Sequence, residues 1–401
     1  MEIDIGRGKK GRRAYGFDDI AIVPSRRTRD PDDIDITWTL GPYRFELPLI
    51  ASAMDGVVSP DSAALVNRLG GLGVLNLEGI WTRYEDANEQ LDMIAEAPKE
   101  TATRLLQEVY SEPVKAELIG RRIAEIKEKG AVACGSLTPQ RVRDHYETAV
   151  EAGLDILVIQ GTVISAEHVS TSVEPLNLKE FIAEVPVPTV VGGCASYSTG
   201  LHLMRTGAVG VLVGVGPGAA CTTRGVLGIG VPQATAIADV AAARSQHMLE
   251  TGEYCNVIAD GGMRTGGDVS KAIACGADAV MIGSPLARAK EAPGRGFHWG
   301  MATFHPSLPR GARVSTTQDG TMEEILLGPA RENDGTFNLM GALRTSMATT
   351  GYEDIRSFQR AEVMVAPALQ SEGKALQREQ AVGMGSNGRA NISEAVAVSD
   401  D

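Results

Sequence analysis

Short apolar runs recur along the chain, each closed by a glycine-rich or polar turn and most followed by a stretch with helical spacing. They are Leu47 to Ala53, Leu72 to Leu77, Ala131 to Leu137, Ile156 to Thr162, Thr189 to Gly193, Gly210 to Gly216, Asn256 to Gly262 and Ala279 to Ser284. Near-continuous apolar character, rather than alternation, predicts strands buried on both faces, as in a parallel sheet covered by helices. Repeated strand–helix units fit a closed barrel or a doubly wound sheet. Eight of them favour the α/β class of the (β/α)8 TIM barrel.

Between about Ile80 and Gly130 the pattern changes. Charged residues interleave with apolar ones at helical spacing, as in Ala116 to Lys129, which predicts helices in or beside the barrel wall. After Leu286 the rhythm stops in a segment rich in proline and glycine, and helical patterning returns at Phe337 to Thr349 and Tyr352 to Phe358. The reading is one barrel domain over 1–365, with 366–401 a mobile tail that has no periodicity.

Composition narrows the class. The chain has 401 residues, and its 38 Lys plus Arg against 51 Asp plus Glu give a net charge of −13, which repels nucleic acid. No run approaches the length of a membrane span, and the basic, glycine-rich start has no apolar core, so no membrane association is expected. The five cysteines show neither zinc-ligand nor disulfide-framework spacing, which fits a cytoplasmic location.

Candidate chemistry collects where the strands end. Cys221 lies in Gly216-Pro217-Gly218-Ala219-Ala220-Cys221-Thr222-Thr223-Arg224, a turn in which a thiol can act as a nucleophile and Arg224 can favour its thiolate. A lone cysteine is also often just a small buried hydrophobe. Asp260-Gly261-Gly262 and Gly283-Ser284 close the last two runs, where barrels often bind phosphate; Asp260 can accept from ribose hydroxyls. The plain alternative is a tight turn with Asp260 as a helix cap. Met54, in Ser52-Ala53-Met54-Asp55, reads as core before ligand contact. His298 and His305 can transfer protons or bind a metal, but no ligand partners stand at suitable spacing.

With these motifs in place, the chain from about Ala14 to Phe358 resembles the IMP dehydrogenase/GMP reductase family. The resemblance is carried by Gly216 to Arg224, Gly230-Val231-Pro232-Gln233, Ile258 to Gly262, Gly276 to Ser284 and Pro48 to Asp55. It implies that Cys221 attacks C2 of a purine, that Thr223 assists proton transfer, and that Asp260 holds the ribose. Gly262, Gly283 and Ser284 would hold the 5′-phosphate, with Ser52, Met54 and Met301 on the nucleotide. It further implies a nicotinamide cofactor near Gln160 and Gly161, potassium on backbone carbonyls of Gly216, Gly218 and Cys221, and a cytoplasmic homotetramer or octamer. The substrate would be a purine nucleoside monophosphate: GMP, IMP or XMP.

Several positions depart from the family pattern. Ala219 replaces a serine, Gln160 stands where dehydrogenases have an aspartate, and Cys194 replaces an asparagine. No CBS modules interrupt the barrel. Only Thr303 to Arg310 separates Gly300-Met301 from Gly311, too short for the mobile flap that supplies a dehydrogenase's water-activating base. The pattern resembles the paralogue branch without CBS modules that has been linked to GMP reduction. Reductases pair the threonine with a glutamate, for which Thr316 stands at the aligned position and Gln318 nearby is a stand-in. On this balance the expected reaction is reduction of GMP to IMP and ammonia with NADPH. NAD-dependent oxidation of IMP to XMP and a nucleotide-binding pseudoenzyme are the alternatives.

Overall fold

The structure, a computed structural model, describes residues 2–165, 171, 175–300, 313–366, 374–380 and 382–383. Eight parallel strands close into a barrel: β1 (Leu49–Ala51), β2 (Leu72–Asn76), β3 (Cys134–Leu137), β4 (Ile156–Gln160), β5 (Thr189–Cys194), β6 (Gly210–Val213), β7 (Asn256–Asp260) and β8 (Ala279–Ile282). All eight apolar runs thus form barrel strands, and β8 pairs with β1 to close the ring through Met281 opposite Ile50. The expected TIM barrel is the fold.

The two-residue period of each strand sorts its side chains into two separate cores. Ile50, Val74, Cys134, Val158, Val190, Leu212, Ile258 and Met281 fill the interior, while Leu49, Leu75, Leu157, Val211, Val257 and Val280 face outward against the helices. Full burial of each such side chain contributes roughly 1.5–3 kcal/mol. The same parity positions the site. Ile156, Val158 and Ile258 point inward, so Gln160 and Asp260, each an even number of residues further on, project into the mouth of the barrel. There Gln160 Nε2 donates to Asp260 Oδ2 at 3.2 Å.

The opposite end is closed by a short hairpin, Trp38–Leu40 with Tyr43–Phe45, whose Trp38, Leu40 and Phe45 join the interior core. A second hairpin, Glu2–Gly6 with Lys9–Arg12, lies on the exposed surface. The interval after β2 is helical as expected: Ala87–Glu96, Lys99–Val109 and Ala116–Glu128. The late helices are Leu339–Thr349 and Ile355–Phe358. Within 366–401, Lys374–Glu379 is helical. Lys, Ala, Leu, Gln, Arg and Glu are all strong helix formers, so composition alone supports that turn without any amphipathic period. No helix among the described residues is long and apolar enough to cross a membrane.

Candidate active site

A pocket opens at the C-terminal ends of the strands and brings together most of the residues expected there. Ser52, Met54, Gln160, Gly161, Gly216, Gly218, Cys221, Asp260, Gly262, Gly283 and Ser284 all line it. Met301 and His305 lie outside the described residues, as does the shortened stretch from Thr303 to Arg310.

Cys221 stands apart from the other thiols. Cys134, Cys194 and Cys255 are buried in the two cores, and burial holds their thiols high, Cys194 at about 12. A proton held that firmly leaves no nucleophile at neutral pH. Cys221 is partly exposed and is the one cysteine in the pocket lining. Its Sγ donates to Thr223 Oγ1 at 3.2 Å, and its backbone amide closes a turn on the Gly218 carbonyl at 3.0 Å. Thr223 is itself buried. Arg224 also braces the loop. The guanidinium donates to the carbonyls of Val215 at 3.3 Å and Val231 at 2.6 Å, so it fastens the loop to the next segment.

Asp260 ends β7 in the barrel mouth. Burial pushes its carboxyl up to about 7, against the lowering effect of the Gln160 amide. The helix-cap alternative fails, because the next helix, Gly266–Ala274, is capped by Thr265. Gly261 and Gly262 both take positive φ, +79° and +82°, which turns the backbone sharply away from the strand. A Cβ at Gly283 would sit 2.7 Å from Met54 Sδ, the far end of a flexible side chain that would have to move aside. Met54 is therefore part of the pocket wall and packs against the core from its rim.

Three features lay beyond the sequence reading. Gln233 is buried, and its Nε2 donates to the carbonyls of Val213 (2.8 Å) and Asp260 (3.0 Å), tying the ends of β6 and β7 together. Its place in the motif Gly230 to Gln233 was the only signal. Ser284 Oγ lies 2.8 Å from His298 Nε2. Trp299 Nε1 donates to the Tyr110 hydroxyl at 2.7 Å, and that hydroxyl bonds the buried carboxylate of Asp55. Cys194 does not enter the pocket, because β5 shifts register between Gly192 and Cys194 and turns the thiol to the outer core. Neither Thr316 nor Gln318 lines the pocket; Gln318 Nε2 donates to the Ala289 carbonyl at 3.1 Å.

Gln160 Oε1 is buried without a partner among the described residues and sits in the pocket wall beside Gly161, which suits a carboxamide donor. No group of three or more His, Cys, Asp or Glu side chains among the described residues can hold a metal ion. That leaves open a cation held by carbonyls alone.

Around one barrel mouth the structure gathers a glycine-turned rim, a buried carboxyl and a partly exposed thiol. Residues 14–375 match the IMP dehydrogenase / GMP reductase domain, and the chain belongs to that family of oxidoreductases. It is 49% identical to an "uncharacterized oxidoreductase" of Mycolicibacterium smegmatis, over 90% of this chain and 99% of the relative. It is 31% identical to the inosine-5′-monophosphate dehydrogenase of Borreliella burgdorferi, over 70% of this chain and 72% of that one. Among solved structures, an IMP dehydrogenase/GMP reductase-like protein from Corynebacterium glutamicum superposes with a TM-score of 0.86 at 45% identity, covering 91% of this chain and 97% of the other.

Proposed function

We propose that the protein oxidises IMP to XMP, with Cys221 as the nucleophile. The observation that carries the reading is the single partly exposed thiol of the pocket, with a buried hydroxyl at 3.2 Å and Asp260 and Gly283-Ser284 in the same wall. Ser284, Gly283 and Gly262 hold the 5′-phosphate, Asp260 the ribose, and Ser52 and Met54 the nucleotide's remaining face. Cys221 Sγ bonds to C2 of the base and the C2 hydrogen departs as hydride. A water then adds at C2, the sulfur leaves with its electron pair, and XMP is released. The nicotinamide cofactor, when bound beside Gln160 and Gly161, supplies the hydride acceptor, so IMP, NAD and water give XMP, NADH and a proton. The Thr223 hydroxyl, which accepts from the thiol at 3.2 Å, relays that proton toward solvent by giving up its own as it takes the thiol's.

The direction rests on what surrounds the thiol. A reductase must protonate departing ammonia, and the stand-in for its glutamate, Gln318, is engaged by Ala289 and absent from the pocket wall. The names of the 31%-identical relatives agree with oxidation. Reduction of GMP with NADPH stands as the second reading because the eight residues Thr303 to Arg310 leave no length for a dehydrogenase flap. Paired assays separate them: XMP and NADH form from IMP and NAD, whereas NADPH oxidation only upon adding GMP would reverse the direction. Binding of both nucleotides without turnover in either assay would identify a pseudoenzyme. The same assay with potassium replaced by sodium tests the carbonyls of Gly216, Gly218 and Cys221 as a potassium site, and sedimentation tests a homotetramer.

A further inference from the structure

Ser284 opens the short helix Ser284–Ala287 after β8 and lines the pocket. Behind it, away from the chemistry of Cys221, stands His298. This residue belongs to a two-residue strand, Phe297–His298, paired antiparallel with Val314–Ser315. Its ring is 1% exposed, its Nε2 lies 2.8 Å from Ser284 Oγ, and its Nδ1 has no partner among the described residues.

We infer that His298 is a positioning residue for phosphate recognition: it donates from Nε2 to Ser284 Oγ, and so turns the serine's own proton toward the 5′-phosphate. This rests on the nucleotide reading above. Two neutral tautomers are open to the ring. With its proton on Nδ1, an N–H would be buried with no acceptor among the described residues, and the serine would direct its hydroxyl proton to Nε2 and offer the phosphate only lone pairs. With the proton on Nε2, the buried Nδ1 carries a bare lone pair, and a chain of donors runs from imidazole to hydroxyl to phosphate oxygen. An anionic ligand favours the second arrangement, in which each hydrogen bond polarises the next. Burial also pulls the imidazole down to about 4, so the ring acts near neutral pH through direction, not through charge.

The ring's support is itself fixed. Trp299, the next residue, donates to the Tyr110 hydroxyl at 2.7 Å, and Tyr110 is anchored on Asp55 at the end of β1. A donor held on a rigid support retains its direction when the ligand leaves.

The test is calorimetric titration of IMP and of inosine into wild type, His298→Phe, His298→Gln, Ser284→Ala and the His298→Phe/Ser284→Ala pair. We expect His298→Phe to weaken IMP about tenfold, in keeping with one charge-assisted hydrogen bond, while inosine binding is unchanged. His298→Gln, whose amide N–H reaches the Nε2 position, restores most of the loss. The double variant binds IMP no more weakly than Ser284→Ala alone. Should His298→Phe fail to fold, His298→Asn, too short to reach the serine, takes its place with the same expectations. Equal loss of IMP and inosine, or additive losses in the double variant, would overturn the inference while the nucleotide reading stands. A wild type that binds no IMP overturns both.

Discussion

The two ends of the pocket are built in different ways. At the end proposed to hold the phosphate, buried side chains bond one another behind Ser284: His298 on Ser284, Trp299 on Tyr110, and Tyr110 on Asp55. At the thiol end, Gly216 to Arg224 is held by one internal turn, by the hydrogen bonds of Arg224 to backbone carbonyls, and by the Cys221–Thr223 contact. Apolar side chains just beyond it, Val226, Leu227 and Ile229, are exposed. A site built of buried bonds is ready before its ligand arrives, whereas a loop with few buried contacts belongs to the low-stability end of the molecule. Under the proposed function the contrast divides the work: affinity for the nucleotide is assigned to the ends of β7 and β8, and bond making to the loop after β6.

The sharpest way to break that division is to remove the sulfur. Cys221→Ala should lower kcat by about 10⁴ or more, the scale of losing a covalent nucleophile, while the Kd for IMP measured by calorimetry stays within about twofold. A large loss of affinity would show that the two ends are not independent.

An intermediate effect is expected at Asp260. Its folded carboxyl titrates near 7 against an ordinary 3.8, so between those values the native state keeps a proton that the unfolded chain has released. Stability therefore falls as pH rises across that window and levels off above about 7. Asp260→Asn removes this cost. Its melting temperature should exceed that of wild type by an amount that grows from pH 5.5 to 7 and is constant beyond, while IMP binding weakens. A melting difference independent of pH would contradict the placement of this carboxyl.

The smallest effect concerns the support of the phosphate end. Tyr110→Phe leaves Trp299 Nε1 without its acceptor and Asp55 without one donor, which should reduce unfolding free energy by about 1–3 kcal/mol in denaturant titration. The rate at which a thiol reagent modifies Cys221 should not change, because nothing in the tyrosine network touches the cysteine loop.

Much of this was legible in the sequence, and the boundary has a physical reason. All eight strands could be read because burial on both faces makes each one a continuous apolar run, and Cys221, Asp260 and Ser284 could be placed because barrels gather chemistry where such runs end. The plug hairpin could not: Trp38–Leu40 and Tyr43–Phe45 are three residues each, shorter than any period can declare itself. Nor could the supports of the site. Trp299 and Tyr110 are 189 residues apart, and the tautomeric role of His298 depends on a serine 14 residues earlier that the pairing of Phe297–His298 with Val314–Ser315 leaves within 2.8 Å. The hydrogen bonds of Arg224 to the carbonyls of Val215 and Val231, which fasten the thiol loop, were likewise beyond the sequence pattern.

The central claim is a bond between Cys221 sulfur and purine C2. Acid quenching during steady-state turnover with IMP and NAD, followed by peptide mass analysis, measures it directly. The account predicts a nucleotide adduct on the peptide containing Cys221, absent from Cys221→Ala. Turnover by the alanine variant, or turnover by wild type with that peptide unmodified throughout, would contradict it.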